Sequence, residues 1–110
     1  MRVCPSEVED FLKKVRESID KKCCTFIPRK KNIMSMTKLG LQPQDVLDEI
    51  YDLTYSNYIK GPEDDHDVNE SDPFWMFKAY IIDNTIYIKI KIVMDDNNRL
   101  KIVSFHIDEI

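Results

Sequence analysis

Two side chains near the C-terminal end could move protons between pH 5 and 10, His106 and Tyr87. An unperturbed imidazole titrates near neutrality, and a phenol keeps its proton well above it. Both residues lie where apolar and polar residues alternate, as in Ile86-Tyr87-Ile88-Lys89-Ile90-Lys91. Period-2 alternation puts the polar set on one face of a strand. Metal-free cleavage of RNA needs a base for the 2′-OH proton, an acid for the leaving 5′-oxygen and cations for the phosphorane charge. Tyr87, His106 and the nearby lysines can supply these parts. The plainer reading of His106 is an exposed strand residue.

The elements that must hold these side chains are three strands, at residues 74–82, 85–94 and 99–107, joined by an Asp83-Asn84 turn and a four-residue turn at 95–98. Pairing Ile82 with Thr85 and Met94 with Arg99 predicts Tyr80 opposite Tyr87, Lys78 opposite Lys89, Lys89 opposite Ser104 and Tyr87 opposite His106. One face then collects Trp75, Phe77, Ile81, Ile86, Ile88, Ile90, Ile92, Val103, Phe105 and Ile107. The other collects Met76, Lys78, Tyr80, Tyr87, Lys89, Lys91, Ser104 and His106. A one-residue slip would bury lysines, which supports this assignment of faces. Like charges directly opposite repel, so Lys78 against Lys89 implies either splayed, solvated heads or a bound anion. Lysines interleaved with tyrosines suit RNA, with phosphates on the cations and bases on the rings.

The N-terminal half reads as helices. Ser6-x-x-Glu9 has the form of a capping box ahead of Val8, Phe11, Leu12, Val15 and Ile19, which predicts a helix over about 6–21. Residues 24–28 form a short strand or an extended connection. Lys31–Leu39 reads as a second helix, with Ile33, Met36 and Leu39 inward and Gly40 just past its end. Pro43 opens a third, with Val46, Leu47, Ile50, Tyr51 and Leu53 as its stripe. Gly61-Pro62 breaks the chain before an acidic loop. Residues 1–110 thus read as one α+β domain, about three N-terminal helices packed on a C-terminal three-stranded antiparallel meander.

Composition narrows the classes. The 110 residues are 43% apolar and 33% charged, which is globular rather than disordered. No apolar run is long enough to span a membrane, and no signal-peptide core is present. Two glycines exclude a Gly-rich phosphate loop. Three cysteines, Cys4 and the tandem Cys23-Cys24, make neither a disulfide framework nor a zinc site, and point to a reducing cytoplasm. His66 sits among acids without metal-loop spacing and reads as solvated. The net charge of −4 is uneven: residues 63–72 hold six acids and no Lys or Arg, and without them 14 acids face 16 bases. This acidic loop could lie over the cationic face and neutralise it in the absence of nucleic acid.

The chain resembles the MqsR-type toxins of bacterial type II toxin–antitoxin modules, the motility quorum-sensing regulator family. The matching stretches run from about residue 8 to the end: Lys31-Asn32, Leu39-Gly40-Leu41, Leu53 through Tyr58, Lys60-Gly61-Pro62 with Asp64, Phe74-Trp75-Met76-Phe77, Ile86-Tyr87-Ile88-Lys89-Ile90 and Val103-Ser104-Phe105-His106. The resemblance implies a RelE-like α+β fold and an mRNA interferase, an endoribonuclease that cuts mRNA without a metal and is held inactive by a cognate antitoxin. A helix-turn-helix domain is expected in that antitoxin. The resemblance also puts Lys60 in the active site, matches Tyr87 to the family's strand tyrosine, sets His106 where the best-known branch has lysine, and sets Met76 where that branch has glutamine. The expected catalytic set is therefore Lys60, Tyr87, Lys89 and His106, with Lys78, Tyr80, Lys91 and Ser104 contacting RNA and no metal or other cofactor. Tyr87 and His106 are reached both from alternation and from the resemblance; Lys60 rests on the resemblance alone. A reading from another class, which Met76 and the negative charge favour, is a catalytically inactive relative that binds nucleic acid or protein.

Overall fold

The computed structural model describes residues 3–67 and 69–108. In chain order it contains α1 (Pro5–Asp20), β1 (Cys24–Phe26), α2 (Lys30–Leu39), α3 (Pro43–Tyr51), a 3-10 turn (Tyr55–Asn57), β2 (Tyr58–Glu63), β3 (Phe74–Ile81), β4 (Asn84–Val93) and β5 (Arg99–Ile107). The architecture is α+β, but the sheet has five strands in the order β1-β5-β4-β3-β2, not three. β1 runs parallel to β5, and the other pairs are antiparallel. β2 was hidden by Gly61-Pro62, which reads as a break. A proline that cannot donate to a ladder is tolerated at a sheet edge, and β2 is an edge strand.

The core lies between one face of the sheet and the helices. Val8, Phe11, Leu12 and Val15 of α1 and Val46 and Ile50 of α3 meet Phe77, Ile86, Ile88, Ile90, Leu100, Ile102 and Phe105. Phe11 stacks on Trp75 at 4.6 Å between ring centroids. The Ser6–Glu9 capping box is not formed: Pro5 opens α1 behind Cys4, and the Glu9 carboxylate accepts the Tyr55 backbone N–H at 2.9 Å instead. Glu9 thus ties α1 to the 3-10 turn that feeds β2.

The first hairpin keeps the expected faces but slips by two residues. Ile81 pairs with Asn84, Lys78 with Tyr87 and Met76 with Lys89. The turn is Ile82-Asp83, with φ of 48° and 63°, and not Asp83-Asn84. Two successive positive φ values match the right-handed twist of the flanking strands. Asn84 starts β4 and its side-chain amide donates to the Ile82 carbonyl at 2.7 Å. Lys78 therefore does not oppose Lys89, and Tyr80 faces Thr85, not Tyr87. In the second hairpin Tyr87 faces His106 and Lys89 faces Ser104, as expected. An irregularity between Lys89 and Ile90 then shifts the register by one. Val93, not Met94, pairs with Arg99, and Ile102 and Leu100 take the inward positions in place of Val103.

α2 packs Met36 and Leu39 against the core as expected, but the rest of its inward face is polar. Ile33 is 44% exposed, while Asn32, Ser35 and Met36 are buried. Past the end of β1, Asn32 and Ser35 stand where a neighbouring strand would continue along β5. Asn32 Nδ2 donates to the carbonyls of Ile27 and Val103, each at 2.9 Å, and its Oδ1 accepts the Phe105 N–H at 3.1 Å. Ser35 Oγ accepts the Ile107 N–H at 2.9 Å. Side chains thus satisfy an edge that would otherwise be open to pairing. Gly40, with φ of 70°, closes α2 in the left-handed conformation.

Candidate active site

The outer face of the sheet divides into a covered half and an open half. In the covered half, Lys91 of β4 and Lys101 of β5 are register partners, so this pair carries the like-charge opposition expected of Lys78 and Lys89. The acidic connection between β2 and β3 supplies the compensating anions. Lys91 Nζ donates to Asp65 Oδ2 at 2.8 Å and to the Asp72 carbonyl at 3.2 Å. Glu70 lies between the two lysines, 3.9 Å from Lys91 and 3.6 Å from Lys101. Asp72 Oδ2 accepts the Met94 N–H at 3.2 Å. The Phe74 ring lies beneath Lys89 and Lys91, 4.4 and 4.6 Å from their ammonium groups. The Lys91 hydrogen bond is the largest of the influences that hold the Asp65 carboxyl below its usual range. The Lys91 side chain is 0% exposed, so this expected RNA contact lies under acidic chain.

The open half holds the proton-transfer candidates. Tyr87 and His106 face each other across β4 and β5, their ring centroids 5.6 Å apart and tilted by 40°. His106 Nδ1 lies 3.1 Å from the Ile107 carbonyl. A carbonyl can only accept, so Nδ1 carries the hydrogen, and in the neutral ring Nε2 keeps its lone pair. Burial raises the Tyr87 phenol above its usual range; the Lys60 charge opposes that shift, and Glu63 and Asp108 add to it. The Lys60 charge is therefore felt at Tyr87. The register row Lys60–Met76–Lys89–Ser104 crosses four strands on this face. Met76 and Ser104 are buried in the row.

The cations differ in their engagement. Lys60 pairs with Glu63 at 3.6 Å, and Lys78 with Asp108 at 3.1 Å. Lys89 has no carboxylate within ion-pair distance among the described residues. Tyr80 is 76% exposed at the hairpin end, four positions from Met76 along β3, and so stands apart from the Lys89 row. Two cations were not expected at the site from the sequence, Arg29 and Lys31. They line a concavity of about 360 Å³ with Tyr87, Lys89, Ser104, His106 and Asp108. Their positions depend on the docking of α2, which its polar inward face concealed.

A five-stranded α+β sheet with a tyrosine–histidine pair among cations has few parts, and comparison with known proteins supplies the class. The family model described as "Motility quorum-sensing regulator, toxin of MqsA" matches residues 9–107. The chain belongs to this family of toxins, the toxin components of toxin–antitoxin pairs. No curated protein matches it. Among the described residues no helix is long and apolar enough to cross a membrane.

Proposed function

We propose that this toxin is a metal-independent endoribonuclease that cleaves mRNA in the cytoplasm by attack of a 2′-OH on the adjacent phosphorus. The P–O5′ bond breaks as the new P–O2′ bond forms, giving a 2′,3′-cyclic phosphate and a 5′-hydroxyl. The observation that carries the reading is the Tyr87–His106 pair facing across adjacent strands. The hydrogen bond at Nδ1 suits the neutral His106 ring to take the 2′-OH proton on Nε2. The raised Tyr87 phenol keeps its proton at neutral pH, which suits it to protonate the leaving O5′. Lys60 and Lys89 stabilise charge on the phosphorane. Lys78 and Tyr80 contact the RNA chain, Lys91 does so only when the acidic connection lifts, and the buried Ser104 acts on it only through the Arg29 guanidinium that its hydroxyl holds.

A cognate antitoxin, with a helix-turn-helix domain, holds the toxin inactive. The test is expression of Tyr87→Phe and His106→Ala in growing cells, with cleavage of RNA by the purified proteins. Both variants are expected to lose killing and cleavage while remaining folded. Two variants as toxic as the parent would sink the assignment. Met76 and the covered Lys91 favour a second reading, an inactive relative that binds nucleic acid or a protein partner. It predicts binding without cleavage.

A further inference from the structure

We propose that Arg29, supported by Lys31, forms a second phosphate-binding position next to the Tyr87–His106 pair and holds a backbone phosphate flanking the one that is cut. This rests on the endoribonuclease reading and adds to it a residue outside the matched motifs' catalytic set.

Among the described residues, five of the basic side chains on or beside the outer face pair with acids: Lys60, Lys78, Lys91, Arg99 and Lys101. Arg29, Lys31 and Lys89 do not, and all three line the same concavity. Among the described residues the one carboxylate lining it, Asp108, is engaged by Lys78. Three uncompensated cations around one depression make a site for an anion.

The geometry then favours a fixed site. Arg29 Nη1 donates to Ser104 Oγ at 3.0 Å, and Ser104 is buried in β5 directly opposite Lys89. One N–H of the guanidinium is thereby spent on orientation, and four donors remain for a ligand. The backbone is held as well. Arg29 is the residue before α2, its N–H bonds the Ile27 carbonyl at 2.8 Å, and Asn32 pins the following turn to β5. A planar fork on a rigid base matches a phosphate better than a solvated lysine does.

Separation decides which phosphate this is. Lys60 and Ser104 stand three strand spacings apart in one register row, or ~14 Å. Arg29 lies beyond Ser104, on the β5 side. His106 stands two residues, ~7 Å, along β5 from the Ser104 that orients Arg29, so a phosphate cut at the Tyr87–His106 pair leaves Arg29 to the neighbouring phosphate of the same strand.

The experiment measures binding of a short, fully 2′-O-methylated RNA, which cannot be cleaved, to the parent protein, Arg29→Ala, Arg29→Lys and Lys38→Ala across salt concentrations. Cleavage of unmodified RNA by the parent is measured alongside. Lys38 is exposed at the far end of α2 and controls for net charge alone. Arg29→Ala is expected to bind about tenfold more weakly, with the salt slope reduced by about 0.7. Arg29→Lys should keep most of the slope and lose part of the affinity, and Lys38→Ala should match the parent. If Arg29→Ala binds like the parent, or no worse than Lys38→Ala, the second phosphate position is refuted while the ribonuclease reading stands. If the parent neither binds nor cleaves, the ribonuclease reading falls and takes this position with it.

Discussion

Asn32→Ala removes three hydrogen bonds between α2, the chain before it and the edge of β5. The amide is 0% exposed and spans the Ile27 carbonyl, the Val103 carbonyl and the Phe105 N–H. Alanine leaves the Phe105 N–H as a buried donor without a partner, which costs about 1–3 kcal/mol, and two carbonyls each lose one donor at a further ~0.5–1 kcal/mol. The sum is about 3 kcal/mol, which for a chain of this size lowers Tm by roughly 10–20 °C. Asn32→Asp is worse, because it turns a carboxylate oxygen toward the two carbonyls that Nδ2 now satisfies. Urea unfolding followed by circular dichroism reads both variants, with the m-value unchanged if the native surface is preserved. An Asn32→Ala cost under ~1 kcal/mol, with Asn32→Asp no worse, would refute the claim that this amide holds α2 to the sheet.

Gly61→Ala should destabilise β2: Gly61 has φ of 123°, and an added Cβ would come 2.8 Å from the Phe74 carbonyl oxygen and 3.0 Å from the Trp75 Cα. Loss of stability together with a fall in RNA cleavage is the expected result, since Lys60 is the preceding residue; an unchanged urea midpoint would count against it. The Asp65 carboxyl has a lowered pKa in the folded protein, so its pairing with Lys91 stabilises above the ordinary Asp value near 4 and is lost as pH falls through the folded value. Asp65→Asn should therefore lower the urea midpoint at pH 7 and have a smaller effect at pH 3; equal effects at both would contradict the pairing. The raised Tyr87 phenol places any alkaline loss of cleavage above about pH 10, so a fall centred below pH 9 would exclude Tyr87 as the proton donor.

The faces of β3, β4 and β5 were legible because alternation has period 2, and a slip of two residues leaves every side chain on its own side. The slip in the first hairpin cost the Lys78–Lys89 opposition, whereas Tyr87 opposite His106 lies in the part of the second hairpin whose register is as expected. Turn composition misled at Asp83-Asn84, since Ile82 is an unfavourable residue for positive φ and yet adopts it. The shift after Lys89 left no mark in the sequence and brought Lys91 opposite Lys101. The suggestion that acidic chain covers cations held for Lys91 and Lys101, which Asp65 and Glu70 reach, but not for Lys78, which pairs with Asp108, or for Lys89. α2 was the harder case. Apolar periodicity assumes that a helix docks through oil, whereas Asn32 and Ser35 dock through hydrogen bonds. Arg29 and Lys31 were passed over for that reason, as their position follows from the docking and not from their own neighbours in sequence.

The proposed roles of Tyr87 and His106 in metal-free RNA cleavage are tested by cleavage of RNA in EDTA from pH 5 to 9 by the purified parent and His106→Ala. The parent should cleave, with products ending in a 2′,3′-cyclic phosphate, and a folded His106→Ala should be inactive. Cleavage by both proteins alike, or by neither while both are folded, would contradict these roles.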